Sequence, residues 1–312
     1  MDGDGLLDLV TPAQVFRNTS TGIGNIGFDA AFDKSDVAGY QIFVGDVNND
    51  GKLDIMGSDT DFKVALNTST GPGNISFGAA ETIISNFGRC TGARAADIDG
   101  DGRIDFFGSQ GGDNRGASTR NTTVPGSSVV SFEAVEYWAT DDPSDDATYG
   151  VGQFPYRLMM ADFDKDEKID FASPNFMGAT SIAIWRNTSK VGDIDFATVK
   201  NYQSPGSNYR IGVGDVDGDG FADIVTKSSG ENIFSTYKNI STGPGDISFE
   251  ARIDYRDTFS NGEVSGIVIV IWMVIMFQIL HFQVLVPVLY GYLEIKTSRV
   301  IPSCQLQKQR TS

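Results

Sequence analysis

An all-β fold made of repeated four-stranded units is what this chain of 312 residues predicts. Three observations carry that expectation. A nine-residue acidic loop recurs along the chain, short apolar runs flank each copy, and no stretch before residue 263 shows the periodicity of an amphipathic helix.

The fullest loop is DVDGDGFAD at 215–223. Asp215, Asp217, Asp219 and Asp223 fill positions 1, 3, 5 and 9, and Gly220 at position 6 supplies a left-handed turn. Calcium takes six to eight oxygens at about 2.3–2.6 Å, and a tight loop of alternating Asp side chains offers them, with the Phe221 carbonyl at position 7. Asp and Gly also dominate metal-free turns, so one such loop decides nothing. This one recurs. DIDGDGRID places Asp97, Asp99, Asp101 and Asp105, and DFDKDEKID places Asp162, Asp164, Asp166 and Asp170. DVNNDGKLD places Asp46, Asn48, Asp50 and Asp54. The chain opens on DGDGLLD, with Asp2, Asp4 and Asp8 at positions 3, 5 and 9 and the first position falling before Met1. Carboxylates held about 4 Å apart repel by about 1 kcal/mol per pair in water and by more when desolvated, and a divalent cation resolves the conflict. These residues are therefore the candidate metal ligands, with the loops at 97–105 and 215–223 expected to be strongest.

Each repeat has the same parts. An alternating strand precedes the loop (GYQIFVGD, PYRLMMAD, NYRIGVGD), with Tyr40, Tyr156 and Tyr209 in one register and a small residue (Gly45, Ala96, Ala161, Gly214) just before the first Asp. A second apolar strand follows the loop (LDIMGS, IDFFGS, IDFASP, ADIVTK), and a third runs into an Asn turn at Asn18, Asn67, Asn121, Asn187 and Asn239. Period-2 alternation bounded by Gly, Asn and Pro marks all of these as strands. The fourth is read as the short run ending on Phe28, Phe77, Phe132, Phe196 or Phe249, whose rings are expected between units. Four antiparallel strands in about 50 residues make one blade of a β-propeller. About five blades are expected, the first lacking the strand before its loop. The Asn turns form N-x-S/T triplets, which read either as glycosylation acceptors or as turns in which Asn adopts positive φ and Ser/Thr bridge the backbone; identical phase in every repeat favours the turn.

The formal net charge is −17, and 18 of the 41 acidic residues sit at loop ligand positions, so the acidity belongs to the loops. Nothing forms a basic stripe, which argues against a nucleic-acid partner. Cys90 reads as a small buried side chain; Cys304 lies in a segment of different character, which argues against a disulfide. An unrepeated insertion, ATDDPSDDATYG at 139–150, is the place for anything specific to this protein.

The D-x-D-x-D-G-x-x-D loops and N-T-S-x-G-x-I-S-F hairpins closely resemble the FG-GAP and VCBS repeats, which include the integrin α-subunit propeller. The resemblance covers residues 1–263. It implies a propeller of seven blades, calcium in hairpin loops on one face, and roles in adhesion or ligand recognition. Two loops depart from the pattern: Asn48 replaces a carboxylate, and Glu167 replaces the glycine, which is expected to strain that loop.

Residues 264–312 fit none of this. IVIVIWMVIMFQILHFQVLV at 267–286 is followed by a mildly basic stretch. One reading is a transmembrane anchor at 267–286, with a membrane as partner in that case alone. The favoured reading is translation out of frame. Trp272 and Met273 are encoded only by TGG and ATG, whose bases one frame over contain GAT for Asp; Met273 with Val274 forces GGT for Gly. The 270/271, 274/275 and 278/279 junctions permit Asp, so a hidden D-x-D-G-D-x-x-x-D falls where the next loop is due.

The function expected is a calcium-binding module, extracellular or on a cell surface, that recognises a protein or glycan ligand. The rival is a propeller domain of a polysaccharide-active or other secreted enzyme. Residues 1–263 contain no histidine, the lone His281 lies in the tail, and the one unrepeated polar cluster is Asp141, Asp142, Asp145, Asp146 and Tyr149. The expectation is no enzyme.

Overall fold

The small residue ahead of each loop and the Asp that ends it face each other across neighbouring strands. Gly45 pairs with Asp54, Ala96 with Asp105, Ala161 with Asp170, and Gly214 with Asp223. Each loop is therefore the connection of a β-hairpin, and the shared register puts all four at the same place on their sheets. The structure, a computed structural model, describes residues 1–85, 90–110, 115–139, 153–155, 157–177, 181–206, 208–228, 233–256, 267–272, 281–288, 291–296 and 308–310. Among them the regular structure is β throughout, apart from one 3-10 turn at Ser35–Val37.

The chain divides into two compact units. The first, Met1–Trp138 with Ser189–Ile194, holds three antiparallel sheets. The first repeat has three strands, Leu9–Val10, Gln14–Phe16 and Phe32–Asp33. The second has four, Gln41–Gly45, Asp54–Ser58, Phe62–Ala65 and Glu81–Ile84, paired in chain order. The third repeats that order with Cys90–Ala96, Asp105–Gln110, Arg115–Thr119 and Glu136–Ala139.

The second unit, Ala139–Thr188 with Asp195–Ser312, holds the remaining sheets. In the fourth repeat Gln153–Pro155 and Met159–Ala161 both pair with Asp170–Met177, followed by Ser181–Trp185 and Lys200–Gln203. In the fifth, Asn208–Gly214, Asp223–Ser228, Ile233–Tyr237 and Ile253–Arg256 pair in order, with Lys308–Arg310 added at the edge. Val268–Trp272, His281–Val288 and Gly291–Lys296 form a last antiparallel sheet. The described part of 267–286 is thus extended, as its β-branched residues favour, and no helix among the described residues is long and apolar enough to cross a membrane. Ile267 and Ile269 lie over Gly212 and Gly214, where an added Cβ would meet them at 2.7 and 3.1 Å.

Three expectations need correction. The fourth strand of each sheet is not the run that ends on Phe; it follows that Phe, as in Glu81–Ile84 after Phe77 and Ile253–Arg256 after Phe249. The Asn-to-Phe run is a hairpin turn held by isolated bridges, Asn67 to Phe77 and Gly71 to Asn74 in the second repeat, Asn239 to Phe249 and Gly243 to Asp246 in the fifth. Nor do the second strands alternate between core and solvent. Every residue of Asp54–Ser58, Asp105–Gln110 and Asp223–Ser228 is buried. In Asp54–Ser58, neighbouring Ile55 and Met56 join two different cores, one with Val15 and Val37, the other with Phe62 and Phe106. A strand covered on both faces has no polar side to show.

The third correction concerns the Phe rings. Phe77, Phe132 and Phe249 pack against cores shared by successive repeats, and Phe196 lies edge-on to Phe171 at 5.8 Å. Phe28 departs from the expected burial and is 44% exposed. Close stacking also explains the small residues before the loops: a Cβ on Gly45 would meet the Ile104 side chain of the next repeat at 2.5 Å. Cys90 is buried, its thiol pushed up to about 12 by burial, which suits packing rather than reaction. Tyr209 lies in the strand Asn208–Gly214, while Tyr156 and Cys304 lie outside the described residues.

Candidate metal centre

Two left-handed residues shape every loop. Position 6 has φ of +84° at Gly5, +86° at Gly51, +84° at Gly102 and +87° at Gly220. Position 4, which the sequence reading passed over, is left-handed as well, at Gly3, Asn49, Gly100 and Gly218. In the fourth loop both places carry side chains, Lys165 at +60° and Glu167 at +70°. A non-glycine residue there costs about 1–2 kcal/mol, so that loop is strained at two positions.

The turns aim backbone N–H groups at the carboxylates. The position 6 N–H donates to the first Asp: Gly51 to Asp46 at 2.8 Å, and Gly102 to Asp97, Glu167 to Asp162 and Gly220 to Asp215 at 2.9 Å. The position 7 N–H donates to the position 5 carboxylate, from Leu6 to Asp4, Lys52 to Asp50, Arg103 to Asp101, Lys168 to Asp166 and Phe221 to Asp219. The ninth-position Asp is buried in the second to fifth loops. Asp54, Asp105, Asp170 and Asp223 each accept two backbone N–H groups, one from loop position 2 and one from the turn Asn of the same repeat. Asp8 accepts the Asn18 N–H in the same way and pairs with the Met1 ammonium.

Burial drives the ninth-position carboxyls up, to about 6 at Asp54 and about 7 at Asp105 and Asp170, against the pull of their backbone donors; neighbouring loop carboxylates add to the rise. Asp223 shifts the same way for the same reasons. Burial would raise Asp2 too, but the Arg17 guanidinium and the Gly73 and Asp4 N–H groups outweigh it and hold that carboxyl down to about 2.

Three loops gather carboxylate oxygens closely enough to share one ion. In Asp97, Asp99 and Asp101, in Asp162, Asp164 and Asp170, and in Asp215, Asp217 and Asp223, one oxygen from each residue lies within 4.8 Å of the others. Oxygens that share a calcium at about 2.3–2.6 Å lie within about 5 Å of each other, so these residues fit the ion. Among the described residues, the loops at 2–8 and 46–54 form no such three-carboxylate group. In the second, Asn48 keeps a buried oxygen, Oδ1, that accepts no hydrogen bond.

The Asn turns lock one repeat to the one before it. Asn67 Nδ2 donates to Leu53 O in its own repeat and to Met1 O in the preceding loop, both at 2.9 Å. Asn121 does the same to Ile104 O and Val47 O, and Asn239 to Ala222 O and Phe163 O. A second link runs to the position 3 carboxylate: Gly73, Gly192 and Gly245 donate N–H to Asp2, Asp99 and Asp164 at 2.7, 2.8 and 2.7 Å. At Asn48 the link is inverted, with Nδ2 donating to Ser127 O and the Gly126 N–H donating to Asn48 O. Asn67, Asn121 and Asn239 are buried with both amide hydrogens used, so a glycan has no place on them. The turn reading is right for a different reason than φ: none of the five Asn has positive φ, and each earns its place through its amide.

Sequence reasoning also missed the residue just before each turn Asn. Arg17 reaches Asp2 and Asp4, Arg120 reaches Asp99 and Asp101, Arg186 reaches Asp164, and Lys238 reaches Asp217 and Asp219. Its recurrence in four of five repeats was the available signal. Asp141, Asp142, Asp145, Asp146 and Tyr149, the cluster the enzyme reading would use, lie outside the described residues.

A family profile described as FG-GAP-like repeat matches residues 46–108 and 143–226. Those spans contain the second to fifth acidic loops. A search of curated proteins gives no match.

Proposed function

Since the chain carries FG-GAP-like repeats, we propose that it is a calcium-stabilised β-propeller module that serves ligand recognition or adhesion outside the cell or at its surface. One observation supports this reading above the others: three loops bring carboxylate oxygens within 4.8 Å of one another. In the fourth loop the group includes Asp170, a buried carboxyl pushed up to about 7. Without a cation such a carboxyl is caught between ionising in a buried, acidic place and giving up a ligand. The loops whose ligands are already gathered for calcium are those of Asp97, Asp99 and Asp101, of Asp162, Asp164 and Asp170, and of Asp215, Asp217 and Asp223. The ion would supply charge neutralisation, with no chemical step.

The role of the metal in this reading is structural. The loops close hairpins and, at Asp2, Asn48, Asp99 and Asp164, touch the next repeat through the position 3 side chain, so bound calcium would stiffen repeats and the joints between them. Millimolar calcium outside cells would fill even weak sites of this type. Closure into a seven-bladed ring and a protein or glycan ligand belong to the same proposal, and so does the absence of catalysis, which the lack of histidine in residues 1–263 supports.

Calcium added to chelator-treated protein tests it through the thermal midpoint. One site at a hundred times its dissociation constant adds about 2.7 kcal/mol, which for a chain of this size is a rise of about 4 °C. A midpoint unmoved by millimolar calcium contradicts the reading.

A further inference from the structure

We propose that the basic residue before each turn Asn is a built-in counter-cation for the adjacent loop, and that the second repeat, which has none, holds the loop most dependent on calcium. The calcium half rests on the function proposed above; the counter-cation half does not. Arg17, Arg120, Arg186 and Lys238 all approach the position 3 carboxylate of their own repeat, at 2.7 Å for Arg17 on Asp2 and 3.9 Å for both Arg120 on Asp99 and Arg186 on Asp164. Arg17, Arg120 and Lys238 also reach position 5, at 3.1, 3.4 and 3.1 Å. The second repeat puts Leu66 in this place, and its position 3 is Asn48.

The two changes match in charge. Where position 3 is Asp, the residue before the turn is Arg or Lys; where position 3 is the neutral Asn48, it is the neutral Leu66. A cation at this range offsets the repulsion among the loop carboxylates. These pairs are partly exposed, so each contributes modestly. With Asn48 at position 3 the second loop has one carboxylate fewer and no cation there, so what sets it apart is Asn48 itself rather than its net charge. Lys52 lies 3.7 Å from Asp50 at position 5, half-exposed at the loop rim.

Asn48 supplies the independent sign that this loop awaits a cation. Its residue is 4% exposed and its Nδ2 is fixed on Ser127 O at 2.8 Å, so the amide orientation is set. That leaves Oδ1 buried with no donor. A buried acceptor without a partner is costly, and a hard cation held with Asp46, Asp50 and Asp54 would satisfy it.

Hydrogen–deuterium exchange on the full chain, read by peptides across each loop in chelator and in millimolar calcium, tests both halves. In chelator, Lys238→Met should speed exchange across 215–223 by about fivefold while leaving 97–105 unchanged, and Lys238→Arg should restore it. Equal exchange in Lys238→Met and the parent protein would overturn the counter-cation. In the parent, calcium should slow exchange across 46–54 more than across 215–223, and Leu66→Arg should shrink that difference. Equal slowing at the two loops would overturn the special place of the second repeat. If calcium slows exchange at no loop, the proposed function fails, while the chelator comparison of Lys238→Met still decides the counter-cation.

Discussion

The third and fourth loops carry the same four aspartates on different backbones. Gly100 and Gly102 supply the left-handed residues of one, Lys165 and Glu167 those of the other. Most of the hydrogen bonds are nevertheless the same, although the second donor to the first Asp is Gly100 at position 4 in the third loop and Asp166 at position 5 in the fourth. Gly102 and Glu167 donate to the first Asp at 2.9 Å, and Asp105 and Asp170 each accept two backbone N–H groups. The carboxylates therefore fix the loop conformation strongly enough to hold two side-chain-bearing residues in a disfavoured region. What differs is the group of oxygens brought together: Asp101 completes it in the third loop and Asp170 in the fourth.

The largest effect should come from the feature the two loops share. Asp105→Ala and Asp170→Ala each strand two buried N–H donors, and at about 1–3 kcal/mol per unsatisfied group the loss is about 2–6 kcal/mol. Urea denaturation in chelator should find similar losses for the two. A large loss at one site and none at the other would break the comparison.

Next comes pH. Asp105 and Asp170 have folded values of about 7, above the ordinary 3.8, so the unfolded chain releases these protons first. Metal-free stability is therefore greatest below about pH 4 for these groups and falls, by on the order of a few kcal/mol, as pH rises through 7. Calcium needs the ionised form, so its stabilising effect should grow across the same window. Thermal melts from pH 4.5 to 7.5, with and without calcium, measure both trends; parallel curves would contradict the assignment.

The backbone difference gives the smallest shift. Replacing Lys165 and Glu167 together by Gly should stabilise the fourth loop by about 1–2 kcal/mol, the relief of strain being partly cancelled by the entropy of two added glycines. Gly102→Glu should destabilise the third by about 1 kcal/mol. Opposite signs for these two variants are what a common loop conformation requires.

Much of this was legible in the sequence because it is repeated. The alternation DxDxDG fixed where the hairpins connect, and the small residue before each loop announced a close approach that Gly45 makes to Ile104. The strain at Glu167 could be read from the missing glycine. Less legible was whatever depends on stacking. Asp54–Ser58 shows no polar face because a second sheet covers it. The fourth strands, such as Glu81–Ile84, alternate too weakly to outrank the conspicuous Phe that precedes them. The turn Asn residues look like local turn formers, yet Asn121 and Asn239 act at a distance of more than seventy residues, on Val47 and Phe163. No local pattern encodes that partner.

The central claim is that these loops hold calcium, and anomalous diffraction from crystals of the full chain grown in calcium tests it most directly. Anomalous peaks should appear within bonding distance of the carboxylates of Asp97, Asp99 and Asp101, of Asp162, Asp164 and Asp170, and of Asp215, Asp217 and Asp223. Ordered loops with no anomalous peak at any of the three would contradict it.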